Sequence, residues 1–158
     1  MSQRLWKDVA PGDAIGPVEF PLSVYRLVVA AGANRDFNAI HHNSEYAKST
    51  GAPEMYANSL FLQGMWERAV REYIGLGGTI RRLAGFRMKS FNCAGDTVVV
   101  EGEVSRTYQQ DGTGFAELRI WSENAGRVSV GPGIVTVTLP LTVAAAAVLH
   151  DRDDDRSP

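Results

Sequence analysis

Apolar residues recur at helical spacing between Ser59 and Ile74. Leu62, Met65, Trp66, Ala69, Val70 and Tyr73 share one face, at i, i+3, i+4, i+7, i+8 and i+11. Gln63, Glu67 and Arg71 fill the opposite side, with Glu67 placed for an i,i+4 pair with Arg71. Leu60 and Phe61 widen the apolar surface, so the first turns are expected to be buried nearly all round. Asn58 suits the N-cap, because its side-chain oxygen can accept from a free first-turn amide, and Gly75-Leu76-Gly77-Gly78 is a stop. Past Gly78 the period falls to two. Phe86 and Met88 alternate with Arg87 and Lys89; Val98, Val100, Gly102 and Val104 oppose Val99, Glu101 and Glu103. Ala116, Leu118 and Ile120 alternate with Glu117, Arg119 and Trp121, and Val135, Val137 and Leu139 close the series. Turns are expected at 94–96, 111–114 and 124–126, and Gly131-Pro132-Gly133 should interrupt or bulge the last strand.

Upstream of the long helix, Val18 to Leu22 reads as a short strand and Val24 to Ala33 as a short helix ending near Gly32. A second short helix is expected from Asn43 or Ser44 to Gly51. One buried helix followed by about four antiparallel strands is an α+β pattern, in which a curved sheet can wrap the helix. The reading is a single domain over residues 1–140 and a tail, 141–158, that is expected to fray and carry no chemistry.

Composition narrows the function. The chain has 158 residues, 44% hydrophobic and 22% charged, which is globular rather than disordered material. With 16 Lys+Arg against 18 Asp+Glu it lacks the excess of cations that phosphate-backbone binding needs, so no nucleic acid is expected. The run Val143 to Leu149 is too short to span a bilayer, and Met1 to Asp8 lacks the apolar core of a signal peptide; no membrane association and a cytoplasmic location are expected. A single cysteine, Cys93, leaves no intramolecular disulfide and no Cys-rich zinc site.

Groups that shuttle protons near neutral pH are few. Of three histidines, His150 lies in the tail. Asp36 and His41 are five residues apart, which in extended chain is a separation of up to ~17 Å. On one helix they would diverge by roughly 140°. They converge on one small substrate only if the polar, non-periodic segment Asn34 to Asn43 curls as a loop. A carboxylate and an imidazole across a water-sized gap make a proton-transfer pair, and the Asn38 amide suits holding the loop or the water. Taken alone, the residues favour a turn-capping Asp36 and a satisfied core His41 over such a pair.

Asp36-Phe37-Asn38-Ala39-Ile40-His41, followed by five residues and then Ala47, resembles the hydratase signature of the MaoC-like (R)-specific enoyl-CoA hydratases, Asp-x-Asn-Pro-(aliphatic)-His-x5-(small). The Gly51-Ala52-Pro53 turn, the helix starting near Asn58 and the Gly95-Asp96-Thr97 turn are similar to that family too. Ala39 replaces the usual proline, Arg35 stands where glycine is common, and Asn58-Ser59-Leu60 stands where many members carry His-Gly-Met. The resemblance implies a hot-dog fold, an antiparallel sheet around a long central helix, usually dimeric. It implies Asp36 and His41 as catalytic dyad on an acyl-CoA thioester, with coenzyme A part of the substrate and no other cofactor. The doubled His41-His42 resembles a subgroup of actinobacterial-type acyl dehydratases, some of which form the catalytic half of a heteromeric hydratase for steroid side-chain thioesters.

Helix physics adds an oxyanion site. Free amides at a helix N-terminus favour the negative oxygen that forms as water adds to a 2-enoyl thioester, so the backbone N–H of Ser59, with Asn58 beside it, is expected to support that oxygen. The leading expectation is reversible hydration of a trans-2-enoyl-CoA to the (R)-3-hydroxyacyl-CoA. The alternatives are the same chemistry on steroid-derived thioesters with a second hot-dog chain, or a non-catalytic acyl-CoA-binding subunit. Partners are thus an acyl-CoA and a homodimer or heterodimer mate, the latter also suggested by edge strands and an exposed Trp121. No metal site is expected, since adjacent histidines in extended chain point opposite ways. Cys93 lacks a base partner, and Arg81, Arg82, Arg87 and Lys89 read as a solvated strand face.

Overall fold

The computed structural model describes residues 3–142. The expected tail lies almost wholly outside the described residues.

The elements follow in the order β1 (Ala14–Pro21), α1 (Val24–Ala33), α2 (Ser44–Ser49), α3 (Ser59–Ile74), β2 (Thr79–Ala84), β3 (Thr97–Gln110), β4 (Thr113–Asn124) and β5 (Arg127–Leu139). The strands form one antiparallel sheet ordered β1-β3-β4-β5-β2. Period-two patterning sets its inner face. Val98, Val100 and Val104 on β3, Ala116, Leu118 and Ile120 on β4, and Val135, Val137 and Leu139 on β5 are all buried. The inner face packs on Leu62, Met65, Trp66, Ala69, Val70, Tyr73 and Ile74 of α3, making one core. Inside it the Trp66 indole N–H donates to Ser122 Oγ at 2.7 Å, so the one polar atom the large ring brings inward is satisfied. This is the hot-dog architecture, α+β, that the motif's family implies.

Glycines admit the backbone where the layers meet most closely. Gly102 pairs with Ile120, and a Cβ there would overlap the Ile120 side chain and lie 2.5 Å from Arg119 O. Gly131-Pro132-Gly133 bulges the last strand as expected. Between the pairs Ile120–Gly133 and Ser122–Val130, β5 carries one residue more than β4, and a Cβ on Gly131 would run into the Trp66 ring.

Four expectations are corrected. The first strand is longer than 18–22, because a bulge between Ile15 and Val18 breaks its alternation without ending its pairing. The strand expected at Phe86–Lys89 lies instead at Thr79–Ala84. A register shift between Ile80 and Arg82 leaves Arg81 and Arg82 exposed in succession and hides the period, while Met88 makes only an isolated bridge to Val130. The start of α3 is not buried all round: Leu60 is 53% exposed and Gly64 is open, since the sheet covers one side of the helix. Trp121 is half-buried rather than exposed, its N–H donating to Glu123 Oε1 and the Arg119 guanidinium over its ring.

No helix among the described residues is long and apolar enough to cross a membrane.

Candidate active site

The site begins where α1 stops. Arg35 N donates to Gly32 O at 3.1 Å and Asp36 N to Ala31 O at 2.9 Å, a Schellman reversal with Arg35 at φ 55. That is the left-handed region, which explains why glycine suits this position in the motif's family. Asn38 then caps the single 3-10 turn Ala39–His41, its Oδ1 accepting from Ile40 N at 3.2 Å. Asn43 caps α2 in the same way, accepting from Tyr46 N at 3.0 Å. The capped 3-10 turn curls the chain between Asp36 and His41, and Asp36 Oδ2 arrives 3.1 Å from His41 Nε2.

The other ring nitrogen fixes the proton inventory. His41 Nδ1 lies 2.8 Å from the carbonyl oxygen of Tyr56, and a carbonyl only accepts, so Nδ1 carries a hydrogen. That leaves Nε2 turned to the Asp36 carboxyl, so an imidazole and a carboxyl stand side by side as a proton-transfer pair. The His41 side chain is 8% exposed and that of Asp36 36%, so a ligand meets the carboxylate first. Tyr56 also presents its ring edge-on to His41, centroids 5.3 Å apart. Burial, then the neighbouring Cys93 and Asp36, pushes the Tyr56 phenol up, which keeps its hydroxyl protonated at neutral pH.

Tyr56 is held by a clamp from α2. The Glu54 carboxylate accepts from Met55 N at 2.9 Å and pairs with Lys48 Nζ at 3.1 Å. Hydrogen bonds from Ser44, the Met55 amide and Lys48 draw Glu54 down to about 2.

The N-terminus of α3 adjoins the pair through both flanking segments. Ser59 follows the His41-binding Tyr56 by three residues, and Asn34, two before Asp36, donates through Nδ2 to Asn58 Oδ1 at 3.2 Å. Asn58 is buried and caps the helix, accepting from Phe61 N at 2.8 Å; its Nδ2 has no partner. The first-turn amides of Ser59 and Leu60 donate to nothing among the described residues, as expected of a helix start whose cap serves Phe61.

Other candidates separate from this cluster. His42 is exposed, its Nε2–H donating to Phe37 O at 3.3 Å, so the two histidines face apart. Burial pushes the Cys93 thiol up, away from the thiolate a nucleophile needs. Arg81, Arg82, Arg87 and Lys89 are all exposed. Among the described residues no three His, Cys, Asp or Glu side chains are grouped as metal ligands.

Sequence reasoning missed three residues. Tyr56 acts through a carbonyl that every residue has, and Asn34 through a contact 24 positions along the chain, so neither carries a local signal. Asn92 is 1% exposed and borders a cavity of about 250 Å³ with Tyr56, Ala57, Leu62, Met88 and Phe91. It is brought there by Ala57 N donating to Asn92 O at 2.9 Å and by the Tyr56–Cys93 bridge. Tyr56 is common to the cavity and to the acid–imidazole pair. Two wider grooves, about 460 and 490 Å³, run along the open face of α3 and meet at Asn34, Leu60 and Gly64, beside the helix tip.

No family model matches the chain. Over 79 residues, 50% of this chain, the sequence is 33% identical to the 3-oxo-4,17-pregnadiene-20-carboxyl-CoA hydratase beta subunit of Mycobacterium tuberculosis; the match spans 60% of that relative. The ChsH1-ChsH2 complex from Mycobacterium tuberculosis has a similar fold, with TM-score 0.72 and 25% identity over 82% of this chain and 98% of that chain. So does the unliganded R-hydratase PhaJ1 from Pseudomonas aeruginosa, with TM-score 0.75 and 19% identity over 87% and 86% of the two chains. The chain is a hot-dog protein whose structural neighbours include MaoC-like dehydratases and (R)-hydratases, and whose curated relative is a hydratase subunit.

Proposed function

We propose that this chain adds water across the double bond of a trans-2-enoyl thioester of coenzyme A, giving the (R)-3-hydroxyacyl thioester, and catalyses the reverse. The observation that carries the reading is the 3.1 Å contact of Asp36 with His41 beside the free amides of α3. Water held against the pair gives one proton to its basic member as its oxygen bonds to the β-carbon. The thioester carbonyl takes up the displaced electron pair as an enolate, and the Ser59 N–H, with the spare Asn58 Nδ2–H beside it, hydrogen-bonds that oxygen. The acidic member then protonates the α-carbon and the carbonyl re-forms. One proton leaves the pair and one enters, so it ends as it began, and no electrons are exchanged with a redox group. Asn38 acts by holding the loop, since its Oδ1 is spent on the Ile40 amide.

The test is loss of enoyl-thioester absorbance on adding the protein to enoyl-CoAs of several acyl types. Asp36→Asn and His41→Ala are expected to lower kcat by roughly 10²–10⁴, the usual contribution of positioned acid–base groups. Wild-type protein that leaves every enoyl-CoA unchanged, alone and with a partner subunit, would sink the reading.

A second reading makes the active species a heteromer with another hot-dog chain. Its support is the subunit character of the curated relative and of the ChsH1-ChsH2 complex, together with the uncovered α3 face at Leu60 and Gly64. Activity that appears only on mixing two subunits would select it.

A further inference from the structure

Asn92 poses a chemical question that the proton-transfer pair leaves unanswered. It is 1% exposed, yet neither its Nδ2 nor its Oδ1 has a hydrogen-bond partner. Buried amides are normally satisfied, and a leucine of similar size would suit a purely apolar wall better. Asn92 is placed firmly by its surroundings. Its carbonyl accepts from Ala57 N at 2.9 Å, and the turn after it is closed by Asp96, which accepts from Cys93 N at 2.7 Å and from Asn124 Nδ2 at 2.6 Å. Around it the cavity wall is Tyr56, Leu62, Met88 and Phe91, with the exposed Lys89 and Ser90 at its rim. Met88 and Phe91 are 45% and 44% exposed, so the rim meets solvent while Asn92 marks the buried part.

We propose that Asn92 is a specificity-determining residue that binds a keto or hydroxyl oxygen carried on the acyl group, several bonds beyond the reacting carbons. This rests on the enoyl-thioester reading of the site. A coenzyme arm must reach solvent, so the apolar and buried part of the cavity falls to the acyl group. An unsubstituted chain would strand the amide without partners, whereas an oxygen substituent accepts from Nδ2–H and a hydroxyl can also donate to Oδ1. Tyr56, which touches both His41 and the cavity, sets the separation between the reacting carbons and the recognised oxygen.

The experiment measures binding of saturated medium-chain acyl-CoAs by calorimetry, so that no turnover is required. One acyl group is plain; the others carry a keto or hydroxyl group at successive carbons of the distal half. Wild type should bind the best-placed oxygenated chain about tenfold more tightly than the plain one, the worth of one buried hydrogen bond. Asn92→Leu should reverse that preference while keeping its thermal stability, and Asn92→Ala, which leaves more room, should abolish it. Equal wild-type affinity for plain and oxygenated chains would overturn the proposal and leave Asn92 with a buried water. A uniform weakening of all acyl-CoAs in the variants would overturn it in favour of a contact to the coenzyme arm. Hydration of plain enoyl-CoAs, measured separately, tests the underlying reaction, so loss of the preference and loss of the hydratase reading are told apart.

Discussion

His41 occupies its position because a backbone carbonyl, not a side chain, orients it. Tyr56 O fixes the hydrogen on Nδ1 and turns Nε2 toward Asp36, which no residue-type pattern announces. The motif Asp36-Phe37-Asn38-Ala39-Ile40-His41 was legible by its resemblance, while the distance between its ends depends on the 3-10 turn that Asn38 caps. The Ser59 amide can be tested alone. Ser59 is the first helical residue, where proline is well tolerated because its missing N–H has no helical acceptor, and Asn58 already has the extended φ −76, ψ 162 that precedes proline. Ser59→Pro is therefore expected to keep its melting temperature and lose roughly 10²–10³ in kcat, the cost of one oxyanion donor. Unchanged kcat in a folded variant would remove that amide from the mechanism.

Among the elements, helix α3 and strands β3 to β5 follow directly from spacing, since each buries one face against the other. The short edge strands do not, because bulges at Gly16 and Arg81 scramble their alternation. Two glycines in these elements divide by what stands opposite them. A methyl on Gly102 meets Ile120 and the Arg119 carbonyl, and Gly102→Ala should destabilise by about 1–3 kcal/mol. Gly64 faces open space on α3, and Gly64→Ala should stabilise by roughly 0.5–1 kcal/mol by restricting the unfolded chain. Urea denaturation of both variants checks the pair. A stabilised Gly64→Ala protein that fails to associate would place a partner on that face.

At the scale of the molecule, one acid-sensitive set of contacts lies in the loop that carries Tyr56. Glu54 is held down to about 2 from an ordinary 4.5, so its bonds to Ser44, the Met55 amide and Lys48 contribute fully above pH 4.5. That contribution is lost as pH falls from 4.5 toward 2, when the carboxylate protonates. Wild type should lose stability across this window more steeply than Glu54→Gln, with the two converging at its acid end. Denaturation midpoints measured against pH decide this, and parallel curves would refute it. Because the same loop presents the Tyr56 carbonyl to His41, any hydratase activity of the wild type is expected to fall over that range as well.

What the amino-acid order determined by itself was periodicity: a 3.6-residue stripe from Leu62 to Tyr73, two-residue alternation from Val98 onward, and a short polar motif between two helices. Those are local consequences of side-chain direction. Folding decided the rest. It brought Asn34 to Asn58 and Tyr56 to His41, left Leu60 and Gly64 uncovered, and enclosed Asn92 with both polar atoms unspent. These contacts join residues far apart in the chain, and their existence depends on how the sheet closes over the helix rather than on any neighbouring residue.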